Sequence, residues 1–122
     1  KELHRKPSFT EKTQVGDVLD STQHGIYVTC RKGDTQDKPN QDSWYVWRAD
    51  DFSVYGVFDG HGKKGHDISN FVKERLPILI MQDRRFLTPT MPSGMQDAFR
   101  DMTTMLQTSM ESGKVSAKFS GT

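Results

Sequence analysis

The chain has 122 residues, a one-domain length, of which 33% are hydrophobic and 27% charged. Seventeen basic residues against 16 acidic ones leave a formal charge of +1, a balance that gives no nucleic-acid footprint and no membrane-surface patch, and no apolar run approaches spanning length. Cys30 is the single cysteine, so there is no internal disulfide, and with no secretory signal visible the expected setting is intracellular, cytoplasmic or nuclear.

Residues 1–22 are polar and charged without sustained periodicity, and read as an N-terminal extension. Residues 25–30, Gly-Ile-Tyr-Val-Thr-Cys, read as a first strand, with Cys30 expected in the core rather than as a nucleophile. Residues 31–39 form a charged loop punctuated by Gly33 and Pro39. Residues 43–48 then alternate Trp44 and Val46 against Tyr45 and Trp47, which predicts a strand covered on both faces. Arg48, Ala49, Asp50 and Asp51 supply a turn, and residues 52–58 supply a second strand ending in Val57-Phe58.

Chemistry gathers at the end of that second strand, in Asp59-Gly60-His61-Gly62. An acid directly after two apolar residues is expected to be only partly solvated, and an uncompensated carboxylate is costly. A metal ion or a salt bridge would relieve it. The plainer alternative is a strand-ending turn in which Asp59 bonds its own backbone. Gly60 lets the chain approach a ligand closely, and its carbonyl would face the same ion. His61 is a residue type that ligates metals or moves protons near neutral pH. Upstream, Pro39-Asn40-Gln41-Asp42-Ser43 places a second acid at the start of the preceding strand. If the two strands pair antiparallel, Asp42 and Asp59 meet at one end of the sheet, where like charges repel unless a cation lies between them.

The rest of the chain reads as helix and connection. Asp67 is a candidate N-cap for a helix carrying Ile68, Phe71, Val72 and Leu76 on one face, broken or kinked at Pro77, with residues 78–81 as a further buried turn. Residues 82–94 read as a surface connection. Met95, Ala98, Phe99, Met102, Met105, Leu106 and Met110 recur at helical spacing, so a second amphipathic helix of about four turns is expected, with its methionines in the core. Ser112-Gly113 would end it, and residues 115–122 start a further segment of strand character. Lys63-Lys64-Gly65-His66 is a basic loop, either a solvated surface or an attractor of phosphorylated substrate. A zinc site on His61 and His66 lacks a cysteine partner, and Lys63 falls where a calcium loop needs an oxygen.

Asn40-Gln41-Asp42 followed by Gly56-Val57-Phe58-Asp59-Gly60-His61-Gly62 resembles the PP2C (PPM) family of metal-dependent serine/threonine protein phosphatases, and Ser120-Gly121-Thr122 resembles a strand of that family. The resemblance implies an α+β fold, the family's α-β-β-α sandwich. It is expected to be incomplete here, with residues 23–122 as the N-terminal half and the later metal-binding acids without a counterpart. It implies two Mn²⁺ or Mg²⁺ ions in the complete domain, with Asp59 bridging them, Gly60 offering its carbonyl, Asp42 holding a metal directly or through water, and Gln41 contacting metal-bound water. His61 would be the general acid toward the leaving serine or threonine oxygen. The family's phosphate-holding arginine falls at Asp37, where an acid repels phosphate, leaving Lys38 as a weaker substitute. Implied partners are phosphoserine and phosphothreonine proteins, and self-association through the exposed half-sheet. The alternative is a pseudophosphatase or regulatory module that keeps the fold without turnover.

Overall fold

Residues 43–58 supply the frame on which the rest is hung. In the computed structural model, which describes residues 25–34, 38–115 and 120–122, β1 (Ser43–Arg48) and β2 (Ser53–Phe58) pair antiparallel, from Ser43 opposite Phe58 to Arg48 opposite Ser53. The Ala49 N–H donates to the Phe52 carbonyl at 3.0 Å and closes the acidic turn, so the predicted hairpin forms. Its two faces differ. Val54, Gly56 and Phe58 are half-buried, whereas Tyr55 and Val57 on the other face of β2 are 61% and 82% exposed. On β1, for which two covered faces are expected, Trp44, Tyr45 and Val46 are half-buried and Trp47 is exposed; on β2, Phe58 packs onto the helical core.

Two helices make that core. α1 (Gly65–Gln82) buries Ile68, Val72, Leu76 and Ile80, a stripe at strict four-residue spacing. α2 (Met91–Glu111) answers with Ala98 and Met102, flanked by the half-buried Met91, Leu106 and Met110. Burying one such aliphatic side chain stabilises by about 1.5–3 kcal/mol. That gain explains why Pro77 does not end α1 as its residue type predicts. An interior proline costs about 3 kcal/mol, but Leu76 before it and Ile80 after it bury on one stripe, and Pro77 is itself buried.

The helix ends also depart from expectation. α1 starts at Gly65 with Lys64 at its N-cap and no side-chain cap, so Asp67 lies in the first turn and not at the cap. There its carboxylate complements the positive end of the helix. α2 starts four residues before Met95, with a proline in its first two positions, where the missing N–H costs nothing. It ends as predicted: Gly113 takes φ +70° and donates its N–H to the Met110 carbonyl at 3.1 Å. Beyond it, β4 (Ser120–Gly121) pairs antiparallel with the short β3 (His61–Gly62).

The described residues fall into two units, one ending at Asn40 and the other spanning Gln41–Thr122. In the first, the strand predicted for residues 25–30 does not form, and only Arg31 makes an isolated bridge. Tyr27 is 80% exposed there and Val28 is exposed, so the apolar side chains gain no cover to repay ordering the backbone. Cys30 is half-buried and accepts a hydrogen bond from Asn40 Nδ2 at 3.2 Å. The extension predicted for residues 1–22 lies outside the described residues. The second unit is a mixed α+β arrangement with an antiparallel hairpin and two amphipathic helices. Among the described residues no helix is long and apolar enough to cross a membrane.

Candidate functional site

Asp42 and Asp59 are the first residues beyond the β1–β2 ladder, one on each strand, because Ser43 opposite Phe58 is its last pair. A short turn and an antiparallel register thus bring two acids that are distant in sequence to one end of one hairpin. Both residues are exposed. The partly solvated setting expected for Asp59 is not found, since burial stops at Phe58 and the chain leaves the sheet at the next residue. Among the described residues the Asp59 carboxylate makes neither an ion pair nor a hydrogen bond, so neither the salt bridge nor the self-bonded turn accounts for it.

The loop after Asp59 is closed by backbone packing. Gly60 and Gly65 are buried against each other. A Cβ on Gly60 would run into the carbonyl oxygens of Gln41 and Gly65. A Cβ on Gly65 would stand 2.6 Å from the Gly60 carbonyl carbon and overlap the Gln41 side-chain oxygen. Only glycine fits either position. Gly62 between them takes φ +86°, a conformation that side chains disfavour.

Two hydrogen bonds pin this loop to its surroundings, and a third braces Gln41, which makes one of them. Gln41 Nε2 donates to the Gly62 carbonyl at 2.8 Å. The Lys64 N–H donates to Ser120 Oγ at 2.8 Å. Ser69 Oγ, fully buried on α1, donates to the Gln41 carbonyl at 2.5 Å. Ser69 also meets Ser43 Oγ at 3.1 Å, and Ser43 Oγ donates to Asn70 Oδ1 at 2.8 Å. The start of β1, the start of α1 and the loop are thereby joined by a buried polar network. Gln41, expected from the resemblance to touch metal-bound water, is seen bracing the loop. Residue order alone does not mark Ser69 or Ser120 as site residues. The available signal for Ser69 was a serine beside Ile68 on an otherwise apolar helix face.

His61 is exposed and sits opposite Gly121 in the β3–β4 ladder. A Cβ on Gly121 would lie 2.8 Å from His61 Nε2 and 2.9 Å from Cε1, so the imidazole rests on the bare Cα of that glycine. His66 is buried in the first turn of α1, with Nε2 3.4 Å from the Asp67 carboxylate. His61 and His66 are therefore sorted into one open to solvent and one enclosed. Lys38 is exposed in the other unit, and Asp37, at the expected phosphate-holding position, lies outside the described residues. A cleft of about 500 Å³ opens elsewhere, lined by Phe71, Glu74, Arg75 and Lys114 among others, and shares none of the predicted site residues.

The donors at the hairpin end are oxygens: two carboxylates and the Gly60 carbonyl. That is the hard-ligand chemistry of Mg²⁺ or Mn²⁺ rather than of zinc. Among the described residues no group of three or more His, Cys, Asp or Glu stands close enough to hold a metal. Two carboxylates and one carbonyl are fewer oxygens than a divalent cation takes, so a site there would need further donors.

Comparison with known proteins agrees with the motif. The chain is 30% identical to Probable protein phosphatase 2C 35 of Arabidopsis thaliana over 105 residues, 83% of this chain and 27% of that protein. It is 40% identical to Probable protein phosphatase 2C 64 of Oryza sativa subsp. japonica over 58 residues, covering 44% of this chain and 14% of the relative. Over 31 residues, 25% of the chain and 9% of the relative, it is 52% identical to Probable protein phosphatase 2C 72 of Arabidopsis thaliana. The chain thus spans about a quarter or less of the length of these relatives. No family model matches it, and no solved structure does.

Proposed function

We propose, from the premise that this chain belongs to the protein phosphatase 2C family, that the full-length protein is a metal-dependent serine/threonine phosphatase and that this chain carries part of its catalytic site. The observation that carries the proposal is the β1–β2 register, which brings Asp42 and Asp59 to one end of the hairpin beside a loop held in one shape. On this reading the described α+β unit is part of an α-β-β-α sandwich, and the protein works inside the cell on phosphoserine and phosphothreonine proteins.

Divalent cations, Mn²⁺ or Mg²⁺, two in the complete domain, would supply an activated water for in-line attack at phosphorus and neutralise charge as it develops. The residues of this chain do the remaining work. Asp42 and Asp59 hold the cations, with the Gly60 carbonyl as a further oxygen donor. Gln41 fixes the loop through Gly62, so that Gly60 and His61 keep their places. His61, open to solvent and resting on Gly121, gives a proton to the departing serine or threonine oxygen.

The test is hydrolysis of a phosphothreonine peptide by the full-length protein with and without Mn²⁺. Metal-dependent turnover that drops by about 10²–10⁴ in His61→Ala, with the fold retained, supports the enzyme. A folded, metal-loaded protein that turns over no phosphopeptide would make it a non-catalytic module.

A further inference from the structure

We infer that Gly121 is a positioning residue for proton delivery: its missing side chain seats the His61 imidazole and keeps the Nε2 edge of that ring clear for the departing oxygen. The inference rests on the phosphatase reading and adds a residue to that same site.

Three observations carry it. First, the backbone does not call for glycine at this position. Gly25, Gly62 and Gly113 take positive φ, and Gly121 does not. A side chain is conformationally allowed there, and a glycine inside a strand weakens it. Second, the space that a side chain would fill is taken by one ring. The three atoms nearest to a Cβ on Gly121 all belong to the His61 imidazole: Nε2 at 2.8 Å, Cε1 at 2.9 Å and Cδ2 at 3.8 Å. A strand glycine commonly marks a close approach, and here what approaches is a ring edge with a nitrogen that can carry a transferable proton. Third, the seat is held in place while the ring is not. His61 lies opposite Gly121 and Gly62 opposite Ser120 in the β3–β4 register. The Lys64 N–H donates to Ser120 Oγ at 2.8 Å, and Gln41 Nε2 donates to the Gly62 carbonyl at 2.8 Å. Among the described residues no hydrogen bond or ion pair orients the exposed His61 ring, which leaves its contact with Gly121 to do so. A methyl group on Gly121 would therefore leave the strand where it is and turn the ring away, and a proton donor misplaced by about an ångström can lose as much as 10²-fold in rate.

The experiment compares the full-length protein with Gly121→Ala, His61→Ala and the double variant on two substrates. A phosphothreonine peptide releases an alkoxide that needs a proton as it departs, whereas p-nitrophenyl phosphate releases a phenolate stable enough to leave without one. Gly121→Ala should lower kcat on the peptide by about ten- to a hundredfold with KM unchanged, as for an interaction made only in the transition state. On p-nitrophenyl phosphate it should lose no more than about twofold. Added to His61→Ala it should cost nothing further, because no ring is left to displace. The variant should fold, since a ring free to rotate is all that lies near the new methyl group. Equal losses on the two substrates, no loss on the peptide, an additive double variant or a Gly121→Ala protein that does not fold overturns the inference. If the parent hydrolyses neither substrate, the phosphatase reading fails by itself, and the His61 Cε1–H resonance of histidine-labelled protein decides the seat. A resonance displaced in Gly121→Ala upholds it, and an unmoved one overturns it.

Discussion

The α1–α2 face and the loop of residues 59–65 lie in one unit and follow opposite rules. The helical face is built from side chains: Ile68, Val72, Leu76 and Ile80 against Ala98 and Met102, all buried. The loop is built almost without them. Gly60 and Gly65 touch through backbone, Gly62 supplies the turn, and the groups with chemistry, Asp59 and His61, point to solvent. Charges differ in the same way. Arg85 sits on Asp83 and Asp97, with Nη2–O distances of 2.6 and 2.8 Å, and Arg100 shares Asp97, so these two acids are satisfied internally. Asp59 and Lys63 at the loop are not. One region spends its residues on stability and the other keeps its charges available for a ligand.

Substitutions can break or sharpen that contrast, beginning with the largest effect. Gly65→Ala should destabilise by about 4 kcal/mol or more, because the added methyl collides with backbone on which nothing can rotate away. A chemical denaturation midpoint within error of the parent would show that the two glycines do not touch. Leu76→Ala, at 3% exposure, should cost about 3 kcal/mol while leaving metal affinity unchanged, since the helical face takes no part in the site. Ser69→Ala should cost about 2 kcal/mol by leaving the Gln41 carbonyl and Ser43 short of a partner. Because it joins the two regions, it should also loosen the loop, read as faster amide exchange at Gly62 and Lys64.

The smallest effect is electrostatic. The Arg85 side chain, and then its backbone N–H, hold the Asp83 carboxyl down to about 2. A depressed carboxyl contributes stability that is present above its unfolded value and is lost as pH falls through its folded one. Melting curves should therefore lose this contribution between about pH 4 and pH 2. Arg85→Met should flatten that stretch without altering the slope at neutral pH, and an unchanged acid limb would remove Arg85 as its cause.

Much of this was legible from residue order alone. Alternation and the acidic turn located the hairpin, and four-residue apolar spacing located both helices. The placing of Asp42 and Asp59 just beyond the same end of the ladder followed from the hairpin, since register is set once turn and strands are placed. Less visible were features that depend on contacts distant in sequence. Pro77 reads locally as a breaker, and only the stripe running past it shows why the helix continues. The β-rich run at residues 25–30 has the composition of a strand and gains no cover to make one. The resemblance gives Gln41 a contact with metal-bound water, and residue order does not show the bond that its Nε2 makes 21 residues away, at the Gly62 carbonyl. The motif disclosed which residues assemble and not which of them serve as scaffold.

The central claim is that Asp42 and Asp59 jointly hold a divalent cation. Calorimetric titration of Mn²⁺ into the full-length protein and into Asp42→Asn, Asp59→Asn and the double variant tests it directly. Each single change should weaken binding by at least about tenfold, roughly 1.4 kcal/mol, with Asp59→Asn the more severe, and the double variant should lose less than the sum because the two acids share one ion. Mn²⁺ affinity unchanged in both single variants would contradict the account.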